Sequence, residues 1–306
     1  MALDGTELHI ASDDAGSRAG TSRRSALRQF GARTAGAAAL VAAGLAAATE
    51  PAEAQALTDN NILNFALNLE YLEAEFYLRA FFGTGLSAAD RTGAGTQGTV
   101  TGGSAVPFVN KAVQSYCATL AYDELSHVRY LRAALGSAAV AEPNINLSTS
   151  FTTLAVAAGI IPQGQTFNPF ADDVSFLVGA YIFEDVGVTA YAGSARFISN
   201  PNYIEAAGAI LATEAYHGGA IRTLLANIGG GQAANQISAL RASLSGGNND
   251  QGIVLPGQSY NFVSSDYNAL VFRRSPQQVL NIVYGGTTAI GTGGLFFPNG
   301  TNGAIR

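Results

Sequence analysis

Four segments of this 306-residue chain carry an apolar stripe at helical period, and each stripe has a glutamate at its centre. Glu70 sits among Leu63, Leu67, Ala74 and Tyr77, and Glu124 among Leu120, Val128 and Leu131. Glu184 sits among Leu177, Ala180, Val188 and Tyr191, and Glu214 among Ala207, Ile210, Gly218 and Ile221. A carboxylate on the inward face of a helix is costly unless something compensates its charge. The pattern therefore demands a fold that brings all four helices around a shared solution. The segments span residues 58–82, 107–135, 173–198 and 201–228, with Thr58 or Asp59 as the first N-cap.

The compensating group is indicated by the histidines. There are three, and His9 stands alone near the start. The other two each follow a glutamate by three residues, as Glu124 with His127 and Glu214 with His217. With 11 glutamates in the chain, two such matches out of two arise by chance roughly once in a thousand. That spacing puts carboxylate and imidazole on one helix face, where both can reach the same ion. Tyr77 follows Glu70, and Tyr191 follows Glu184, at the same interval of seven. The chain is thus a degenerate internal repeat, a Glu-x6-Tyr helix followed by a Glu-x-x-His helix, twice over. Two divalent cations would neutralise four carboxylates. The alternative is a metal-free cluster of protonated carboxyls bonded to neutral imidazoles. Tyr77 and Tyr191 are candidates either to act in redox chemistry or to hold the glutamates by hydrogen bonds. Glu73, one turn from Glu70, is a substitute ligand, while Glu75, Asp123 and Asp185 suit solvated or ion-paired roles.

The connections suggest the topology. A Gly/Thr/Ser-rich stretch at 84–106 reads as a surface loop. Residues 136–172, with Pro143, Pro162 and Pro169, form a connection too long for a hairpin. A helix of about 25 residues is roughly 38 Å long, so an extended chain needs about eleven residues to run back along it. This one has ample length to join parallel second and third helices. Beyond the bundle at 57–228, residues 229–306 form a Gly/Asn-rich extension with short helices expected at 233–244 and 276–283. Its Phe296 and Phe297 are awkward in a free tail, so it is expected to dock on the bundle.

Composition narrows the partners. The net charge is −6 and Lys111 is the sole lysine, which gives no basic surface for nucleic acid. One cysteine, Cys117, leaves no intramolecular disulfide or cysteine-based zinc cluster. Residues 22–28 (SRRSALR) resemble a twin-arginine export motif, and an apolar run at 35–48 and small-residue cleavage sites at 52–54 or 54–56 follow. We therefore expect residues 1–56 to be a signal peptide recognised by the twin-arginine export machinery. The mature protein would then be periplasmic or extracellular and not membrane-spanning. An uncut anchor is the other reading of the same run.

One glutamate from each of two helices, with Glu-x-x-His from the other two, resembles the ferritin-like di-iron or di-manganese carboxylate superfamily. Bacterioferritin- and rubrerythrin-type proteins also carry a tyrosine seven residues after the first glutamate. Residues 68–77 (NLEYLEAEFY), 275–284 (SPQQVLNIVY) and 297–300 (FPNG) are similar to ferritin-like proteins related to plant desiccation-related proteins. The resemblance implies an all-α ferritin-like four-helix bundle with one long crossover between helices two and three. It also implies metal ligands at Glu70, Glu124, His127, Glu184, Glu214 and His217, holding two iron or manganese ions. Expected chemistry is redox reaction with dioxygen or peroxide, of ferroxidase, peroxidase or catalase type, in stress protection. The competing expectation is a non-enzymatic desiccation or metal-sequestering envelope protein with a structural metal pair.

Overall fold

The computed structural model describes residues 57–257, 260–286 and 292–306; the twin-arginine motif, apolar run and cleavage sites lie outside them. Helix α1 (Asp59–Phe82) starts where the Thr58 side chain accepts the Asn61 N–H, and stops at Gly83, whose φ of 77° is left-handed. The 84–106 loop holds the four-residue helix α2 (Ala88–Arg91) and the short strand β1 (Val100–Thr101). Helix α3 (Lys111–Leu135) begins four residues later than the apolar periodicity predicts. The reason is Asn110, whose side chain caps the Ala112 and Val113 N–H groups while its own N–H donates to Asp173.

The crossover contains β2 (Ile145–Asn146) and α4 (Thr149–Ala157), then leads to α5 (Asp173–Ser194). Helix α5 tightens into a 3₁₀ turn at Ala195–Phe197 and does not continue to residue 198. Helix α6 (Pro201–Asn227) follows, capped by Asn200 with proline in its first turn. Gly229 and Gly230 make the turn out of α6, and Gly231 already opens α7 (Gly231–Ser245). Helix α8 (Pro276–Val283) has a full capping box between Ser275 and Gln278.

α1 pairs with α3 and α5 with α6, each as an antiparallel hairpin. Across the bundle, Tyr116 O–H donates to the His217 carbonyl and Tyr203 O–H to the Ala134 carbonyl, which makes α3 and α6 antiparallel. Helices α3 and α5 consequently run parallel, and the crossover travels the length between them. This is the ferritin-like all-α bundle. A departure from pure helix is the parallel pairing of β1 with β2, which ties the 84–106 loop to the crossover.

Burial differs sharply between helices. In α1, 18 of 24 residues are buried, and in α5, 18 of 22. The corresponding numbers are 9 of 25 in α3 and 9 of 27 in α6. The crossover and the C-terminal extension account for the difference, because they cover the outer faces of α1 and α5. Phe151 of α4 packs against Phe76, Phe183 and Phe296, with ring centroids 5.4, 5.6 and 5.1 Å away. Among the described residues, Asp173–Phe197 is the one helix long and apolar enough to cross a membrane. Of its apolar 18-residue stretch, 89% is buried inside the protein, so its apolarity is that of a core helix.

A buried ion network fastens the extension. Arg222 of α6 and Arg241 of α7 both bind Asp185 of α5, at 2.7 and 2.8 Å. Asp250 joins Arg241 and Arg274 at 2.8 and 2.7 Å. Of the two roles that suit Asp185 by sequence, solvated or ion-paired, the structure shows the second, with arginines that carry no local signal. Removing one partner strands the others in a low-dielectric interior, which costs roughly 3–5 kcal/mol. Arg241→Ala is therefore expected to lose stability on that scale in urea unfolding, whereas an exposed Arg129→Ala (side chain 58% exposed) changes it by less than about 1 kcal/mol.

Candidate metal centre

Each of the six predicted side chains arrives at one place because its helix presents it inward at mid-length. Glu124 and Glu214 are fully buried, Glu70 and Glu184 are 1% exposed, and His217 and His127 are 3% and 9% exposed. One ligating atom from each of Glu70, Glu124, His127 and Glu214 falls within 4.8 Å of the others; Glu124, Glu184 and His217 make a second such group. Glu124 belongs to both. Its two oxygens lie 3.1 Å from His127 Nδ1 and 3.1 Å from His217 Nδ1. The arrangement is two adjoining groups of oxygen and imidazole donors that share one carboxylate.

The two halves of the repeat lock each other. Tyr77 O–H donates to Glu184, and Tyr191 O–H donates to Glu70. Each tyrosine thus orients the glutamate of the opposite half and occupies one of its oxygens. The other oxygen is turned inward: Glu70 Oε2, Glu184 Oε2, Glu124 Oε1 and both oxygens of Glu214 are buried and make no hydrogen bond. His217 Nδ1 is in the same condition. Unsatisfied buried acceptors on this scale are rare in folded proteins. Cations held in the two donor groups would satisfy them, and carboxylate with imidazole is a donor set that suits first-row divalent metals. The residues fit the group.

Space is made for the carboxylates by Gly187. A Cβ at that position would stand 2.3 Å from Glu214 Oε2 and 3.4 Å from Glu73 Oε1. Glu73 is itself buried and borders Glu214, although it falls outside both donor groups. Asp123 stands at the rim with its carboxylate 3.1 Å from His217 Nε2. Glu75 is buried away from the centre, pairing with Arg79 at 2.6 Å and accepting the Leu86 N–H.

Electrostatics of the protein alone show what a cation would relieve. Burial pushes Glu70 up to about 7, with His127 pulling against it and Glu124 adding to it. Burial, then the charge of Glu124, raises Glu214 well above the carboxylate range. Burial also raises Glu184, against the pull of His217, and it raises Glu73, with Glu214 and Glu124 adding. Glu124 goes the other way: burial raises it, but the facing imidazoles of His127 and His217 outweigh that. Burial alone would discharge the imidazoles, yet the facing carboxylates hold both above their usual range. These shifts favour protonated groups in the metal-free centre, so metal binding is expected to release protons.

One missed residue had a signal in the sequence. Arg222 falls eight residues after Glu214 as Arg132 falls eight after Glu124, so the repeat itself pointed to it. Arg132 bonds the Tyr71 hydroxyl at 2.6 Å and Arg222 bonds Asp185, each bracing the residue that follows a cluster glutamate.

Comparison with known proteins adds three findings. Residues 58–227 match the ferritin-like domain. The chain is 30% identical over 267 residues to the ferritin-like catalase Nec2 of Nesocodon mauritianus, covering 81% of this chain and 84% of the relative. It is also 30% identical over 247 residues to the desiccation-related protein PCC13-62 of Craterostigma plantagineum, covering 73% of this chain and 76% of that one.

The titration pattern has a measurable consequence. In the metal-free protein Glu70, Glu184 and Glu214 keep protons that the unfolded chain releases near 4.5. Stability from those protons is complete at lower pH and is lost as pH climbs, through about 7 for Glu70. The imidazoles add a loss of the same sign above 6.5, where the unfolded chain discharges them. The Tm of metal-free protein is thus expected to fall steadily from pH 5 to pH 8, and saturating manganese(II) is expected to flatten that slope. A rising Tm over this window in the metal-free protein would contradict the protonation pattern.

Proposed function

The chain belongs to the ferritin-like domain family, and on that premise we propose that it is an exported dinuclear-metal protein that consumes hydrogen peroxide. The observation that carries the reading is the double donor group sharing Glu124, in a chain similar along most of its length to a ferritin-like catalase. In this reading Glu70, Glu124, His127, Glu184, Glu214 and His217 hold two iron or manganese ions. The metal pair, when bound, supplies a reservoir for two electrons. The reaction balances without any outside reductant. One peroxide gives up two electrons and two protons to become dioxygen, and a second takes both to become two waters.

The protein's own groups serve this reaction in three ways. Glu70 and Glu184 are held in orientation by the crossed hydrogen bonds from Tyr191 and Tyr77, so the site is set before substrate arrives. Glu73, buried and kept protonated by its surroundings, is placed to pass a proton at its carboxyl oxygens beside Glu214. The apolar layer of α1 and α5 keeps bulk water and larger reductants out.

A second reading is favoured by the likeness, at the same 30% identity, to a desiccation-related protein: metal held for sequestration or structure, without turnover. The two part on stoichiometry. Metal-loaded protein is expected to contain near two equivalents by elemental mass spectrometry and to release dioxygen from many equivalents of peroxide. Near two equivalents with at most one peroxide consumed per site would favour the second reading. No metal, in protein from its native host or after loading, would overturn both. Export is part of the proposal and is tested by replacing Arg23 and Arg24 with lysine, which should leave the precursor in the cytoplasm.

Two substitutions test the roles. Glu124→Ala, which removes the donor shared by both groups, is expected to leave less than one metal per chain and no turnover. Tyr77→Phe is expected to keep the metal while lowering turnover by roughly 10–100-fold, the usual cost of losing a group that orients a ligand.

A further inference from the structure

The two halves of the repeat agree at the donors and disagree around them. Tyr116 lies eight residues before Glu124, and its counterpart eight before Glu214 is Ala206. Asp123 immediately precedes Glu124, and its counterpart before Glu214 is Thr213. In the folded bundle these two differences act on opposite histidines. The Tyr116 ring stands nearly perpendicular to the His217 ring, 6.5 Å between centroids and 79° between planes, with its hydroxyl bonded to the His217 carbonyl at 2.8 Å. Asp123 holds the outer nitrogen of the same ring at 3.1 Å. His217 is covered and tethered.

His127 has Ala206 and Thr213 where His217 has the tyrosine and the aspartate. The space left over is a groove of about 640 Å³ between α3 and α6, in which His127 is lined by Ser126, Tyr130, Glu205, Ala206, Ala209 and Thr213. The His127 ring faces the carboxylates with Nδ1 and borders this groove. Its side chain is 11% exposed against 4% for His217. The only cavity described beside Glu73 holds about 10 Å³, too little for more than one water, whose share of the liquid is about 30 Å³. The groove therefore exceeds it by far as a path for anything hydrated. Its walls offer hydroxyls and one carboxylate, Glu205, which suit peroxide, water and cations.

We propose that the α3–α6 groove is the route by which peroxide and divalent cations reach the centre, and that the metal beside His127 exchanges with solvent faster than the metal beside His217. The proposal rests on the dinuclear reading above. Its physical basis is ligand mobility. Releasing a metal requires its imidazole to swing aside; His127 has room to do so, whereas Asp123 and Tyr116 hold His217 in place. A carboxylate on the outer nitrogen of a ligating histidine is worth about 10–100-fold in metal affinity.

Full-length protein loaded with manganese(II) and then challenged with excess EDTA tests this, with retained metal counted by elemental mass spectrometry over time. Two phases of equal amplitude are expected, separated by at least about tenfold. Ala206→Tyr, which rebuilds the cover over His127, should slow the fast phase toward the slow one. Tyr116→Ala should speed the slow phase. Because Ala206 is partly buried, Ala209→Trp provides a second block at an exposed helix position, and it should slow both the fast phase and the approach of peroxide. Release of both metals in a single phase would overturn the proposal, as would a fast phase unmoved by Ala206→Tyr and by Ala209→Trp. Failure to load two metals is a different result, and it would remove the dinuclear reading on which the proposal stands.

Discussion

Four buried carboxylates and two imidazoles meet in the middle of this bundle, and that burial sets the terms for everything around it. Each buried ion carries a desolvation penalty of several kcal/mol, and the carboxylates repel one another. The fold meets this with three devices. In the metal-free protein the two imidazoles face the carboxylates at hydrogen-bonding distance, the two tyrosines donate across the bundle, and the remaining inward-facing oxygens converge in two groups that suit cations. The crossed tyrosine bonds also explain why the two hairpins must dock in one register. A shift of a single turn would break both bonds and separate Glu124 from the opposite histidine.

The layer outside α1 and α5 follows from the same problem. A centre of this polarity gains from a dry, rigid surround, because water penetration would let the carboxylates drift apart. The crossover and the C-terminal extension build that surround with Phe151 and Phe296 on one side. The arginine network around Asp185 and Asp250 fixes it on the other. Asp185 is the immediate neighbour of Glu184, so the ions that anchor the extension also restrain the helix carrying a cluster glutamate. Two jobs, holding the tail and stiffening the site, fall to one set of contacts.

Against this near-symmetric scaffold, the differences between the halves stand out as chemistry and not as drift in the core. The candidate ligands and the tyrosines bonded to them are matched pair by pair, from Tyr77 with Tyr191 to His127 with His217. Positions one layer out are not, and they govern how easily each histidine is approached. An α3–α6 seam that is far less tightly apposed than either hairpin gives the difference room to act.

Much of the architecture was legible in the chain. Helical period marked the four bundle helices, because each keeps an inward stripe whatever its outer face does. The paired Glu-x-x-His spacing, the inward glutamates and the seven-residue Glu-to-Tyr interval marked six candidate ligands and two tyrosines that the fold brings together, because helix geometry converts such spacings directly into shared faces. Other features had no local signal. Helix α4 gave little signal because its nine residues are too few for the stripe of Phe151, Leu154 and Ala155 to show a period. The start of α3 shifted to Asn110 because a capping side chain outweighs periodicity at a helix end. The pairing of Asp185 with Arg222 and Arg241 joins residues 37 and 56 positions apart, a distance at which sequence carries no register. The sequence alone thus determined which side chains face inward and in what repeat, since that depends on local helix periodicity. Tertiary structure alone decided that Glu124 is shared by both histidines, that Tyr77 and Tyr191 serve the opposite half, and that His127 and not His217 opens to solvent, since each depends on how the two hairpins dock.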